Sequence, residues 1–333
     1  FAVPCPEAAI ASPFGRGGNA SALTERANRP KVFQSVKQHI VDGADRLVSV
    51  VTGNDAGDLD LTGGDHLDVD VVVGGPPCQG FSSANQQRII DDPRNELYKY
   101  YIECVKKILP KFVVMENVRG MLKVADQVVE DYESIEEKRN GVTYSYTVSY
   151  KILNSLDFSV AQSRERLIYI AIRNDIAEKK DITPKAIFEE ICGENEGKPH
   201  YLLRDALEYI KPLDAPRIKN TNEKDDERTG KKIDVNYYSG DENPYLKLIN
   251  DGRSIPVLFN HKARYVNDIN YEIYRLLNQG DDASDPKISG IMPYSNRLHC
   301  FKDKYFKLVA DKPSRTITAH LRMDCHSPVS YTH

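Results

Sequence analysis

Apolar and polar positions alternate in a way that marks out a short series of strands and one clear helix. Val69 to Val73 is an apolar β-branched run broken only by Asp70. Bounded by Gly and Pro, it reads as a buried central strand. Asn95 to Leu109 places Leu97, Tyr101, Cys104, Val105 and Ile108 on one face of a helix, and Pro110 ends it. Phe112 to Met115 is a second buried strand. Tyr144 to Ile152 alternates like a half-exposed strand, and Leu167 to Ile172 is a third apolar strand. Between them, residues 121–141 read as charged and helical, with an acidic run at Asp131 to Glu137 on a solvated face. Strands alternating with helices predict an α/β fold.

The polar stretches between these elements carry the candidate chemistry. After the first strand comes Gly74-Gly75-Pro76-Pro77-Cys78-Gln79-Gly80-Phe81-Ser82. The prolines fix φ and remove two backbone donors, so the loop is stiff and cannot extend the sheet. Its cysteine lies beyond the carboxyl end of a strand, where open α/β sheets bind ligands. The second strand ends in Glu116-Asn117-Val118-Arg119-Gly120, and Gln162-Ser163-Arg164-Glu165-Arg166 precedes the third. Each segment is weak evidence alone. A buried inert thiol or a structural ion pair would account for any one of them.

Their order and spacing, 38 residues from Cys78 to Glu116 and 48 from Glu116 to Arg164, resemble the DNA (cytosine-5)-methyltransferase family, with its PPCQGFS, ENV and QxRxR segments. The resemblance is strong from Val69 to Arg173 and moderate near the C-terminus. It implies an S-adenosyl-L-methionine (AdoMet)-dependent methyltransferase with a Rossmann-like sheet and a smaller target-recognition domain. The implied division is 1–175 catalytic, 176–297 target recognition, and 298–333 a return segment truncated before the last family motifs.

The resemblance also assigns roles. Cys78 would add to C6 of cytosine, which makes C5 nucleophilic enough to take a methyl group. A low thiol pKa needs an electropositive site, which Arg164 and Arg166 would supply. Glu116 would donate a proton or hydrogen bond at N3. Gln79, Ser82 and Arg119 would contact the DNA, from which the cytosine is flipped. Phe14, Gly15, Gly17, Asp58, Leu59, Pro77 and Leu97 would hold AdoMet. Asp311 to Thr318 resembles the segment that follows the recognition domain.

The sequence departs from the family in places. The Phe14-Gly15-Arg16-Gly17-Gly18 loop is one residue short, and no acid stands between Lys31 and Val41 to hold the ribose. These departures predict weak AdoMet binding. Ser159 and Ala161 stand where the family usually has Gly and Pro.

Composition then narrows the alternatives. The 333 residues carry a net charge of −4, so any basic surface for DNA is local. Between Asp175 and Ser254 there are 14 Lys and Arg against 18 Asp and Glu, so this region is not basic overall. The six cysteines form no CxxC pair, which points to a reducing compartment and against structural zinc. Neither a signal peptide nor a membrane span is evident, and the Phe1 start suggests a fragment or processed product. We therefore expect a cytoplasmic, metal-free monomer of restriction-modification type acting on double-stranded DNA. Other readings are a catalytically weak DNA-binding relative, a tRNA cytosine methyltransferase, disfavoured by Gly80-Phe81-Ser82, and a thiol amidase, for which no base histidine is evident.

Overall fold

The computed structural model describes residues 47–49 (backbone only), 69–76, 96–218, 224–293 and 305–316. They fall into two compact units. The first comprises residues up to Asn154 together with Glu165–Gly197, and the second comprises Ser155–Arg164 together with residues from Lys198 onward. The chain thus crosses between units at both ends of the Ser155–Arg164 connection. The boundary between the units at Gly197 lies beyond residue 175, where the family resemblance divides the chain.

The first unit is a mixed sheet with helices. Strand β1 (Leu47–Ser49) pairs in parallel with β2 (Val71–Gly74). Helix α1 (Glu96–Ile108) follows, close to its predicted bounds. It stops because Leu109 turns left-handed, at φ 52°, and Pro110 cannot continue a helix. The buried Arg173 donates to the Leu109 carbonyl, so a cation closes the helix end. Strand β3 (Phe112–Val118) pairs in parallel with β2, Val72 opposite Val113. Asp70, buried just before β2, is ion-paired to Lys111, and its carbonyl accepts from the Phe112 N–H at 2.8 Å.

The segment predicted as one charged helix is several elements. A 3-10 turn spans Arg119–Val124 and α2 spans Ala125–Glu133. A hairpin of β4 (Glu137–Arg139) and β5 (Val142–Tyr144) follows. Asn140 and Gly141 both take positive φ, 51° and 82°, which is what a two-residue primed turn requires. The Asn-Gly pair, not the charge pattern, decides the local structure.

Strand β6 (Tyr146–Asn154) lies antiparallel to β7 (Glu165–Arg173), which lies antiparallel to β3. The sheet order is β1-β2-β3-β7-β6. Helices α3 (Asn174–Lys180) and α4 (Pro184–Gly193) complete the unit. Its core joins Val72, Tyr98, Tyr101, Val105, Met115, Tyr132 and Tyr169. Two of these phenols bond to oxygen: Tyr98 donates to Asp131 at 2.9 Å and Tyr101 to the Val114 carbonyl at 3.4 Å. Burial raises the Tyr101 and Tyr132 hydroxyls well above their usual range, so both stay neutral donors.

The second unit is built from short pieces: α5 (Leu203–Leu207), β8 (Gly230–Val235), α6 (Pro244–Ile249), β9 (Val257–Lys262) and α7 (Asp268–Leu276). β8 and β9 form an antiparallel ribbon. Asn243 and Asn267 cap α6 and α7, accepting from Leu246 and Asn270. One apolar cluster centres on Ile273, Leu277, Ile288 and Tyr305, and another on Ala161, Tyr238, Tyr245 and Leu246. Among the described residues, no helix is long and apolar enough to cross a membrane.

Candidate active site

The ends of β2, β3 and β7 bring several side chains of the first unit together. β3 is flanked by β2 on one side and β7 on the other, so hydrogen bonds fix its backbone on both edges. Val118 lies opposite Arg166 and Glu116 opposite Ile168. Glu116 and Arg166 are therefore diagonal neighbours on one face, since alternate residues share a face. Arg166 Nε meets Glu116 Oε1 at 2.6 Å, and Arg166 Nη1 donates to the Glu165 carbonyl at 2.7 Å.

This pair is half open. The Glu116 side chain is 46% exposed and that of Arg166 21%. An ion pair in such a setting contributes about 0–1 kcal/mol to stability. The fold does not depend on it, so its consequence is geometric: it orients a carboxylate that solvent or a ligand can still reach.

Two further residues shape the same corner. A methyl group on Gly75 would lie 3.1 Å from Glu116 Oε2, closer than side chains normally pack. The glycine lets the backbone leaving β2 pass beside the carboxylate. Asn117 is buried; its Nδ2 donates to the Pro76 carbonyl at 3.0 Å and its Oδ1 accepts from the Val118 N–H at 2.9 Å. It ties the end of β3 to the proline two residues before Cys78 in sequence. Neither role was visible in the sequence, where Gly75 reads as a turn glycine and Asn117 as part of a motif. Pairing of the two strand ends is what reveals them.

The other predicted residues are placed as follows. Arg119 starts the 3-10 turn and pairs with Glu165 at 2.5 Å; it is largely exposed. Leu97 sits half-buried in the first turn of α1. Arg164 belongs to the second unit, where its carbonyl accepts from the Ser155 N–H at 3.0 Å. Cys78, Pro77, Gln79, Ser82, Phe14, Gly15, Gly17, Asp58 and Leu59 lie outside the described residues. Cys104 packs against the core; burial raises its thiol above the usual value and nearby Lys107 only partly offsets this, which makes it a poor nucleophile. No cluster of His, Cys, Asp and Glu suited to a metal ion occurs among the described residues.

Residues 50–323 match the family model of C-5 cytosine-specific DNA methylases. Type II methyltransferase M.AquIA of Picosynechococcus sp. is 42% identical over 168 residues, covering 45% of this chain and 64% of that protein. Type II methyltransferase M.FnuDI of Fusobacterium nucleatum is 38% identical over 160 residues, 47% of this chain and 42% of that protein. A crystal structure of a prophage-encoded candidate DNA modification methyltransferase of E. coli aligns with TM-score 0.47 and 19% identity, over 75% of this chain and 63% of its own. The chain spans less than two thirds of the length of these two curated relatives. The family match takes in all three strand-end segments and most of the sequence. The chain belongs to the C-5 cytosine-specific DNA methylase family.

Proposed function

We propose that this chain is a DNA (cytosine-5)-methyltransferase of restriction-modification type, which transfers a methyl group from AdoMet to C5 of a cytosine flipped out of double-stranded DNA. The observation that carries the reading is the Glu116 carboxylate, held by Arg166 at the end of β3 and overlain by Gly75 on the way to Cys78.

Each residue then has a task. The Cys78 thiolate adds to C6 of the cytosine, and the electron pair moves through the ring towards C5 and N3. Arg166 occupies Oε1 of Glu116, so Oε2 is the oxygen left to carry a proton to N3. Its exposure lets a base reach it. AdoMet supplies the electrophilic methyl group that C5 takes. A water molecule then takes the C5 proton, the electrons of that C–H bond re-form the C5–C6 double bond and expel the Cys78 thiolate, and N3 returns its proton to Glu116. Asn117 holds the Pro76 carbonyl and so restrains the root of the thiol loop. Of the residues that would hold AdoMet, Leu97 is described, and its half-buried aliphatic side chain at the start of α1 suits packing against a flat ring. Arg164 adds positive charge for the thiolate by resemblance to the family.

Residues 176–297 would choose the target sequence, and flipping would cost a few kcal/mol. The protein would act as a monomer in the cytoplasm. Bisulfite sequencing of a plasmid recovered from cells expressing the complete protein tests the reading. Protected cytosines should recur within one short sequence and disappear with Cys78→Ala. Full conversion at every cytosine, with the protein present and folded, would overturn it.

A further inference from the structure

We propose that Tyr245 is a positioning residue for the segment that carries Arg164, acting through the backbone N–H of Ala161. The proposal rests on the methyltransferase reading above. It starts from the two departures noted in the sequence, Ser159 and Ala161, which stand where Gly and Pro are usual.

The connection from Ser155 to Arg164 is folded by its own hydrogen bonds. It opens with a 3-10 turn at Ser155–Phe158. Ser159 then adopts φ 60°, a left-handed conformation that glycine takes without strain and serine does not. Gln162 N–H donates to the Val160 carbonyl at 2.7 Å, a three-residue turn centred on Ala161. Ala161 has negative φ, so this is the common inverse form, with φ near that of proline. The backbone conformation is thus one that Gly and Pro would hold unaided, kept by residues that do not impose it.

What holds it instead lies elsewhere in the same unit. Proline would present no N–H at position 161. Alanine presents one, and it is buried, with Ala161 only 4% exposed. That donor needs a partner, and it finds the Tyr245 hydroxyl oxygen at 3.3 Å. Tyr245 is itself fixed independently of the loop. It sits in the first turn of α6, packs on Tyr201 with ring centroids 5.0 Å apart, and follows the N-cap Asn243, which donates to the Asp205 carbonyl and to Glu208. Beyond Ala161 the strand-like stretch is stitched in place. Ser314 N–H donates to the Ala161 carbonyl at 2.9 Å and Ser163 N–H to the Ser314 carbonyl at 2.8 Å. Ser155 Oγ donates to the Gln162 carbonyl at 2.6 Å and Thr316 Oγ1 to that of Ser163 at 3.2 Å. Tyr245 supplies the side-chain restraint on the central residue of the turn from which this stretch departs.

The test uses the complete protein, AdoMet and a duplex in which every cytosine is 5-fluorocytosine. The readout is the single-turnover rate of covalent trapping. Tyr245→Phe should slow trapping at saturating DNA by about tenfold, the order expected when a buried donor loses its partner. The DNA concentration for half-maximal rate should not move. Adding Ala161→Pro to that variant should restore most of the rate, since proline has no N–H to satisfy and fixes the turn itself. A Tyr245→Phe variant that traps like the parent overturns the proposal, as does a slowed variant that proline fails to rescue. Should the proline variant not fold, amide exchange at Ala161 decides: protection lost in Tyr245→Phe supports the proposal, and protection retained refutes it. A parent protein that never traps would refute the methyltransferase reading, and the exchange measurement would still test the Tyr245–Ala161 link.

Discussion

The two units place similar charged residues on very different backbones. In the first, Glu116 and Arg166 project from β3 and β7, each hydrogen-bonded to neighbours on both sides. In the second, Arg228 pairs with Asp214 and Arg253 with Asp251, from loops and an exposed ribbon end, with side chains mostly open to water. All these pairs are weak contributors to stability. What differs is how far the backbone has already fixed the geometry before the side chains meet. On the sheet, a half-exposed ion pair becomes a defined reagent. On the ribbon it is solvated charge. The second unit gets its definition from side chains that satisfy backbone groups instead: Asn243 and Asn267 cap α6 and α7, Lys307 donates its buried ammonium to the Tyr274 and Leu277 carbonyls at the end of α7, and Tyr245 holds Ala161.

That contrast can be broken by substitution. The largest effect should come from Glu116→Gln, which keeps the shape and removes the proton: single-turnover methylation should fall by roughly 10²-fold or more, with the melting temperature barely changed. Arg166→Ala should lose about tenfold or more in rate, and the double variant should be no slower than Glu116→Gln alone, because both act through one carboxylate. Additive losses in single-turnover kinetics would show that Arg166 acts independently. Gly75→Ala comes next. Its methyl group would press on Oε2, so the rate should drop several-fold while chemical denaturation moves by less than about 1 kcal/mol. In the second unit, Arg228→Ala should change stability by less than about 0.5 kcal/mol and leave the rate alone. A large loss there would mean that the ribbon's charges carry definition after all.

Much of the first unit could be read before folding. The strands around Val72, Val113 and Ile170 are apolar runs between turn residues, and α1 announces itself by spacing and by Pro110. The segment from 137 to 144 misled because its charges look helical, although Asn140-Gly141 encodes the hairpin locally. Cys78, Glu116 and Arg166 were legible as motif residues. Gly75 and Asn117 were not legible as site-shaping residues, because what matters for them is which strand end they meet. Tyr245 was invisible for the same reason: its partner Ala161 is 84 residues away in sequence. The strain at Ser159 could be suspected from the missing glycine, but the compensation could not. Ser159→Gly should therefore stabilise the second unit by up to about 1 kcal/mol, the relieved left-handed strain less the added chain entropy of glycine, and a melting temperature that falls would show the serine side chain holds the turn.

The central claim is that the loop rooted at Gly75 and Pro76, beside the Glu116 carboxylate, delivers a nucleophilic thiol to cytosine. The most direct test is to incubate the complete protein with AdoMet and a 5-fluorocytosine duplex, digest the product, and locate the attached nucleotide by mass spectrometry. The adduct should sit on the peptide bearing Cys78 and vanish in Cys78→Ala. Cys104, whose thiol burial holds in the neutral form, should carry none. An adduct on any other cysteine, or one that survives in Cys78→Ala, would contradict the account.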